Sequence, residues 1–154
     1  MTIRNYQTAD NEQIIELLQL NTPKYFSVDE EKDLVDYLAN HASNYYVVEI
    51  EGKLVGCGGF NLSNEGKLAR ISWDIIHPLS QGKGVGIALT IYRIEKIKEI
   101  KTVETLSVRT SQLVYKFYQK FGLKITENVK DHWGAGLDLY TLSCPINLIN
   151  TKFK

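Results

Sequence analysis

The feature that most limits the possible folds is a glycine-rich turn between a strand and a helix, near the middle of the chain. The strand predicted over residues 67–77 alternates polar and apolar side chains, and Pro78 ends it. Glycines stand at positions 82, 84 and 86, and an apolar stripe predicts a helix over residues 84–100. Glycine lets the backbone approach a ligand, and a helix start offers unpaired N–H groups. The turn is therefore a candidate cradle for a pyrophosphate.

Three other interpretations of this turn are possible. A Walker loop requires GxxxxGK followed by Ser or Thr, which is absent from the sequence. A dinucleotide-binding turn requires GxGxxG after a buried first strand, whereas this chain has GxGxG after a two-faced strand. The third interpretation is a glycine turn that only connects a strand to a helix. A nicotinamide dehydrogenase is disfavoured, and the plain connecting turn stays open on this segment alone.

The hydrophobic periodicity of the whole chain predicts the element order β-α-α-β-β-β-α-β-α-β-β. Strands are predicted over residues 2–6, 45–51, 53–62, 67–77, 103–109, 123–129 and 137–148, and helices around 14–18, around 34–38, and over 84–100 and 111–121. This order predicts an α/β (α+β) fold, with helices packed on a mixed sheet. We expect a single domain over residues 1–149 and a polar tail over 150–154.

Charge and composition exclude several partner classes. Eighteen Lys and Arg residues balance eighteen Asp and Glu residues, so no bulk charge predicts a nucleic-acid or membrane partner. The sequence begins without a basic segment followed by an apolar run, and we expect a cytoplasmic protein. Cys57 and Cys144 lie in apolar, strand-like sequence and are predicted to be buried free thiols, and no metal site is expected.

Two separate segments resemble the GNAT N-acetyltransferase superfamily. Residues Gln81-Gly82-Lys83-Gly84-Val85-Gly86 are similar to its Q/R-x-x-G-x-G/A motif, and the preceding His77-Pro78 is also typical of it. Residues 117–123, FYQKFGL, are similar to the FYxKxGF segment, and residues 132–140 weakly resemble the turn before the last strand. The resemblance implies a mostly antiparallel sheet of about seven strands, with helices on both faces and strands splayed next to the glycine turn. It also implies acetyl transfer from acetyl-CoA to a primary amine by direct attack in a ternary complex.

The resemblance also assigns cofactor-binding residues. The pantetheine arm of coenzyme A would pair with the backbone of Ile75 and Ile76, and Ser111 would stand where the family often has Asn. The pyrophosphate would meet the N–H groups of seven consecutive residues, Gln81, Gly82, Lys83, Gly84, Val85, Gly86 and Ile87. Alternatively, Ile75 and Ile76 belong to an ordinary core strand. Their side chains would pack in the core whether or not their backbone binds the cofactor.

Two side chains are candidates for proton transfer. Tyr118 matches the family's tyrosine near the thioester sulfur, a candidate general acid, although a core tyrosine at this helical spacing would look the same. Many members carry a glutamate base, either on the strand before the glycine turn or on the strand after the following helix. At the second of these positions this chain has Ser107, which cannot act as a base. Asp74 is the remaining acid for proton relay or substrate contact, with a salt bridge to Arg70 as the alternative. Because the base is weakly assigned, a coenzyme A-binding sensor or interaction module is the alternative function.

The acceptor wall implied by the resemblance is aromatic. Its candidates are Tyr25, Phe26 and Tyr37 from the early helices, and His132, Trp133 and Tyr140 near the last hairpin. Such a wall favours an amine with an apolar or aromatic body, or cation–π contact, unless these rings only pack the core. A small-molecule or peptide amine is expected as substrate. Family members often pair through late strands, so a homodimer through residues 140–146 and a monomer both fit.

Overall fold

The structure is a computed structural model that describes residues 1–152, so the last two residues of the predicted tail lie outside the described part. The strands are β1 Thr2–Asn5, β2 Tyr45–Ile50, β3 Lys53–Ser63, β4 Leu68–Ile76, β5 Thr105–Thr110, β6 Lys124–Gly134 and β7 Leu137–Pro145. The helices are α1 Asn11–Leu20, α2 Glu30–Asn40, α3 Val85–Lys98 and α4 Tyr115–Gln119, with short 3-10 turns at Thr8–Asp10, Pro78–Ser80 and Ile146–Leu148. The predicted element order is confirmed.

The strands form a seven-stranded sheet in the order β1-β2-β3-β4-β5-β7-β6. The sheet is mostly antiparallel: β1 with β2, β2 with β3, β5 with β7 and β6 with β7 all run in opposite directions. Strands β4 and β5 are parallel, because α3 carries the chain between them. The predicted mixed α/β fold is thereby confirmed.

Several predicted boundaries are wrong. Helix α4 has only five residues, because the preceding residues form turns instead of helix, and α3 begins and ends inside its predicted range. Strand β6 runs to Gly134, so Trp133 and Gly134 belong to a strand and the tight turn lies at Ala135–Gly136, with Gly136 at a φ of 80°. Strand β7 ends at Pro145, where a 3-10 turn replaces the predicted end of the strand.

The described residues form two compact units, and the first consists of Met1–Asn61 and Ser72–Ile94. Its core combines the inward faces of α1 and α2 with the central residues of β2, β3 and β4. The buried members include Ile14, Leu18, Leu34, Tyr45, Val47, Cys57 and Ile75. At about 25 cal/mol per Å² of apolar area, burying such side chains is the main stabilising contribution in this unit. Cys57 is buried as a free thiol, as predicted.

The second unit consists of Leu62–Ile71 and the chain from Glu95 onward. Its buried apolar residues come mainly from β5, β7 and the segment just after α4, and include Leu106, Val108, Phe121, Leu123, Leu139 and Leu142. Gly122 follows α4 with a φ of 97°, the left-handed conformation that ends a helix and that glycine adopts without strain. The main-chain N–H of Asn150 donates to the Phe121 carbonyl (2.8 Å), which anchors the segment after β7 to α4.

Candidate active site

The glycine-rich turn lies between the 3-10 turn Pro78–Ser80 and the first residue of α3. Gly82 and Gly84 have φ values of 76° and 84°, and residues 81–84 are exposed. A Cβ placed on either glycine would meet no atom within 4 Å, so glycine is required here by the backbone conformation and not by crowding. Helix α3 starts at Val85, and the first N–H groups of a helix have no acceptor within it. The loop thus presents N–H groups in a form that suits an anionic group.

The end of β4 departs from a regular strand just before this loop. Its register with β5 runs from Leu68↔Thr105 to Ile71↔Val108, and β4 continues to Ile76. Trp73 has a φ of 52°, a left-handed conformation that is uncommon for a bulky residue in a strand. The hydroxyl of Tyr45 donates to the Trp73 carbonyl at 2.8 Å and holds this irregular backbone in place. Strain of this kind is concentrated at functional sites, which makes this part of β4 a candidate site segment.

Asp74 is paired with Arg93 of α3, a partner that the sequence analysis did not identify. The guanidinium contacts both carboxylate oxygens, with Nη2 at 2.8 Å from Oδ2 and a second, shorter contact from Nη1 to Oδ1. The Arg93 side chain is fully buried, whereas that of Asp74 is 20% exposed. The pair is packed so closely under β3 that a Cβ on Gly58 would collide with both partners. The carboxylate is thus held beside a fixed counter-charge and remains partly exposed.

The carbonyl of Ile76, one of the predicted backbone contacts for the cofactor, already accepts two side-chain hydrogen bonds. Asn21 Nδ2 donates to it at 3.1 Å and Gln81 Nε2 at 3.2 Å. The side chain of Ile75 is buried in the core, as expected for a core strand. Further along the loop, His77 Nδ1 accepts the Leu79 N–H at 3.1 Å and so caps the turn that leads to the glycines.

The early aromatic candidates differ in how accessible they are. Phe26 is half-buried and stacks on Trp73 with ring centroids 6.1 Å apart. Tyr25 is also half-buried, and its hydroxyl lies 3.3 Å from Gln81 Oε1. Tyr37 is only 8% exposed and donates to Asn61 Oδ1 at 2.6 Å, and burial raises its pKa to about 12. Tyr37 is therefore a core residue in this structure, and Phe26, Tyr25 and Trp73 form the accessible aromatic surface.

The second unit carries the predicted acid, Tyr118, on α4. Tyr118 is 3% exposed and contacts Phe117 edge-to-face with ring centroids 5.1 Å apart. Ser111 is also buried, and its hydroxyl accepts the Leu113 N–H at 3.2 Å. This serine therefore closes the turn before α4 and is not the N-cap residue, which is Val114.

Residues near the last hairpin form a separate polar cluster in the second unit. Trp133 Nε1 donates to the Thr110 carbonyl at 3.0 Å, and the Arg109 guanidinium lies 5.7 Å from the Trp133 ring centre. Arg109 Nη2 is 3.3 Å from His132 Nε2. Gln112 donates to the Gly136 carbonyl (2.6 Å) and accepts the Asp138 N–H (2.8 Å). Tyr140, the last wall candidate, stacks on Tyr115 with ring centroids 4.4 Å apart.

Gln112, Arg93 and Asn21, which the sequence analysis did not identify, bond to predicted site segments within their own units. Each acts through hydrogen bonds to residues far away in the chain, as in the 26-residue separation of Gln112 and Asp138. No local pattern encodes such a partner. Among their partners, the motif resemblance singled out Gln81, which bonds to Asn21.

Comparisons with known proteins show the family of this chain. The sequence profile of the Acetyltransferase (GNAT) family matches residues 11–123, and the chain belongs to this family. An N-alpha-acetyltransferase of Sulfolobus acidocaldarius is 27% identical, over 94% of this chain and 92% of the relative.

Solved structures support the fold. Ard1 from Thermoplasma volcanium superimposes with a TM-score of 0.79 at 20% identity, covering 94% of this chain and 96% of that one. An aminoglycoside 6'-N-acetyltransferase complexed with coenzyme A gives a TM-score of 0.78 at 16% identity, covering 95% and 97%. At these identities the likeness shows the shared architecture. Among the described residues, no helix has the length and apolar character needed to span a membrane.

Proposed function

We propose that this chain is an N-acetyltransferase that moves the acetyl group of acetyl-CoA to a primary amine of a small molecule or peptide. The observation that carries the proposal is the exposed loop with left-handed Gly82 and Gly84 directly before α3. Family membership supports the acetyltransferase class. The name of the Sulfolobus acidocaldarius relative makes a peptide N-terminus the first acceptor to test.

The loop residues fit coenzyme A by their backbone chemistry. The N–H groups of residues 81–87 would hold the pyrophosphate, and the exposed Lys83 side chain would add a positive charge near it. When bound, acetyl-CoA supplies an activated thioester that a neutral amine can attack. The backbone at the end of β4 would hold the pantetheine arm, since the register with β5 stops at Ile71.

Two side chains would manage the protons. Direct attack would join the amine nitrogen to the acyl carbon and break the carbon–sulfur bond. Starting from the ammonium form, two protons would leave the nitrogen, of which one would be balanced by the proton that reaches the sulfur and one would pass to water. Tyr118 would donate its hydroxyl proton to the leaving sulfur, a role that typically contributes a factor of roughly 10² to 10⁴ in rate. The exposed edge of Asp74 would hold the substrate ammonium and pass its proton to water. Arg93 orients this carboxylate through its two contacts.

That ion pair also favours a second candidate function. Both carboxylate oxygens of Asp74 already contact Arg93, and Ser107, where many members have glutamate, is buried and cannot act as a base. A domain that binds coenzyme A or an acylated ligand as a sensor would need no base. The two candidates differ in turnover: the N-acetyltransferase releases free thiol from acetyl-CoA, whereas the sensor only binds its ligand.

Two measurements separate these possibilities. The purified protein is first titrated with acetyl-CoA by calorimetry, and we expect saturable binding below millimolar concentration. Release of free thiol from acetyl-CoA is then followed with a panel of amines. The panel contains a short peptide with a free N-terminus, an amino acid, a polyamine, an aminoglycoside and a lysine-containing peptide. The N-acetylated form of the short peptide is the control. Absence of binding at millimolar acetyl-CoA would refute both candidates. Binding without thiol release from any amine would leave the sensor.

A further inference from the structure

The carboxamide of Gln81 is the centre of a hydrogen-bond network in the first unit. Its Nε2 donates to Asn21 Oδ1 at 3.0 Å and to the Ile76 carbonyl at 3.2 Å. Its Oε1 lies 3.3 Å from the hydroxyl of Tyr25. An exposed glutamine ordinarily exchanges such bonds with water, but here both ends of the amide contact protein groups from two other segments. The side chain therefore joins three parts of the chain.

Asn21 fixes the other end of this network. It is 3% exposed, follows the last residue of α1, and donates through Nδ2 to the carbonyls of Leu17 (2.8 Å) and Ile76 (3.1 Å). Its Oδ1 is the acceptor that Gln81 uses. A buried amide that loses a partner carries a desolvation cost, so the Asn21–Gln81 contact is favoured over separation. The end of α1 is thus tied to the residue that opens the glycine-rich loop.

The segment that starts at Asn21 leads directly to the accessible aromatic surface. Tyr25 is held at two points: its N–H donates to the Asn21 carbonyl at 2.9 Å, and its hydroxyl contacts Gln81. The next residue, Phe26, stacks on Trp73. Displacing Asn21 and Tyr25 would therefore displace the ring of Phe26 as well.

The backbone of Gln81 connects the same side chain to the loop. Gln81 is extended, with φ −68° and ψ 145°, and is followed at once by the left-handed Gly82. When residues 82–87 close around a ligand, the Cα position of Gln81 becomes fixed, and so does the origin of its side chain. Binding at the loop then favours the geometry in which the carboxamide reaches Asn21, Ile76 and Tyr25.

We propose that Gln81 is a positioning residue that couples the glycine-rich loop to the segment 21–26, so that a ligand held by the loop also orders the aromatic surface around Tyr25 and Phe26. This inference rests on the proposed function, because it takes coenzyme A as the ligand of the loop. The coupling works in both directions, so an acceptor bound at the aromatic surface strengthens binding at the loop by the same factor.

Hydrogen–deuterium exchange with coenzyme A as the probe tests the coupling without a known acceptor. In the wild-type protein at saturating coenzyme A, we expect slower exchange in peptides covering 82–87 and also in peptides covering 21–27. Protection of neither region would refute the proposed function, and this inference with it. Protection of 82–87 alone would refute only the coupling.

Three variants then assign the coupling to one side chain. Gln81→Ala should keep the protection of 82–87 at saturation and lose most of the ligand-dependent protection of 21–27. Gln81→Arg keeps N–H donors toward Asn21 and Ile76, so it should restore at least half of that protection. Gln19→Ala is the matched control, because it removes an exposed glutamine of α1 that bonds Glu31 and not the loop. Unchanged protection of 21–27 in Gln81→Ala, or its equal loss in Gln19→Ala, would overturn the assignment.

Discussion

Arg93 and Asp74 join the two elements that flank the glycine-rich loop in the sequence. Arg93 lies on α3, after the loop, and its guanidinium is fully buried against the Asp74 carboxylate of β4, before the loop. The same guanidinium donates to the Gly59 carbonyl at 3.1 Å and, through Nε, lies 3.3 Å from the Leu89 carbonyl. Because every one of these bonds is charge-assisted, the pair holds the end of β4 against the middle of α3. The geometry of the loop therefore depends on an ion pair that is also a candidate for proton handling.

Removing one partner of this pair should be costly. Asp74→Ala leaves the Arg93 charge buried without its counter-ion, and we expect the free energy of unfolding to fall by about 3 kcal/mol. The double variant Asp74→Ala/Arg93→Met removes both charges and should recover at least half of that loss. Urea denaturation measures both values, with Asp36→Ala as control, since Asp36 is an exposed aspartate of α2. Equal stability of Asp74→Ala and wild type would contradict the structural role of the pair.

The folded double variant also tests the catalytic role of Asp74. If Asp74 passes on the substrate proton, thiol release by the double variant should be slower by about 10²-fold although the protein is folded. Retention of the wild-type rate would remove Asp74 from the mechanism and leave it a structural residue.

The sequence predicted the order of the elements because strand alternation and helical stripes are local signals. It also located the glycine loop, where Gly82 and Gly84 have the left-handed φ that glycine allows. It did not predict Arg93 inside the core, because an arginine on a helix is ordinarily assigned to the exposed face. The apolar stripe that predicts α3 consists of Ile87, Ile91, Ile94 and Ile97. Ile94 and Ile97 are buried, but Ile87 and Ile91 are only half-buried, and Val85, Leu89 and Arg93 are buried as well.

The irregular backbone at Trp73 could not be predicted for a related reason. Tryptophan favours regular strands, and its φ of 52° is imposed by surrounding contacts such as the Tyr45 hydroxyl. The strict alternation expected along β4, with Arg70, Ser72 and Asp74 on one face, holds only where the strand is regular. The alternation pattern therefore did not predict that Arg93 pairs with Asp74.

The glycines of the loop offer a test with a closely matched control. Gly82 and Gly84 have φ values of 76° and 84°, Gly52 in the β2–β3 turn has 77°, and a Cβ on any of them meets nothing within 4 Å. Alanine at each site should cost about 1 kcal/mol of stability through the left-handed backbone alone. Only Gly82→Ala and Gly84→Ala should weaken acetyl-CoA binding, by about tenfold or more in Kd. Calorimetric titration measures this, and an equal loss in Gly52→Ala would show that stability, not the loop, is responsible.

Tyr118 offers a test of acid catalysis within α4. Tyr118→Phe removes one hydroxyl from a side chain that is 3% exposed and keeps its ring contact with Phe117. We expect kcat for thiol release to fall by roughly 10² to 10⁴ with little change in the Kd for acetyl-CoA. The control is Tyr115→Phe, which alters another tyrosine of the same helix, stacked on Tyr140. A wild-type kcat in Tyr118→Phe would assign Tyr118 to packing.

The buried thiol of Cys57 predicts how stability changes at alkaline pH. Burial raises the pKa of Cys57 from 9.0 to about 12 in the folded chain. Because the unfolded chain loses this proton first, the contribution is complete below pH 9 and declines as the pH rises through the window from 9 to 12. Between pH 7 and pH 10 the free energy of unfolding should fall by on the order of 1 kcal/mol through this thiol. Urea denaturation of wild type and Cys57→Ala at both pH values measures this change in the free energy of unfolding. The fall between pH 7 and pH 10 should be smaller in the variant by about 1 kcal/mol. An identical fall in both proteins would show that the Cys57 thiol does not cause it.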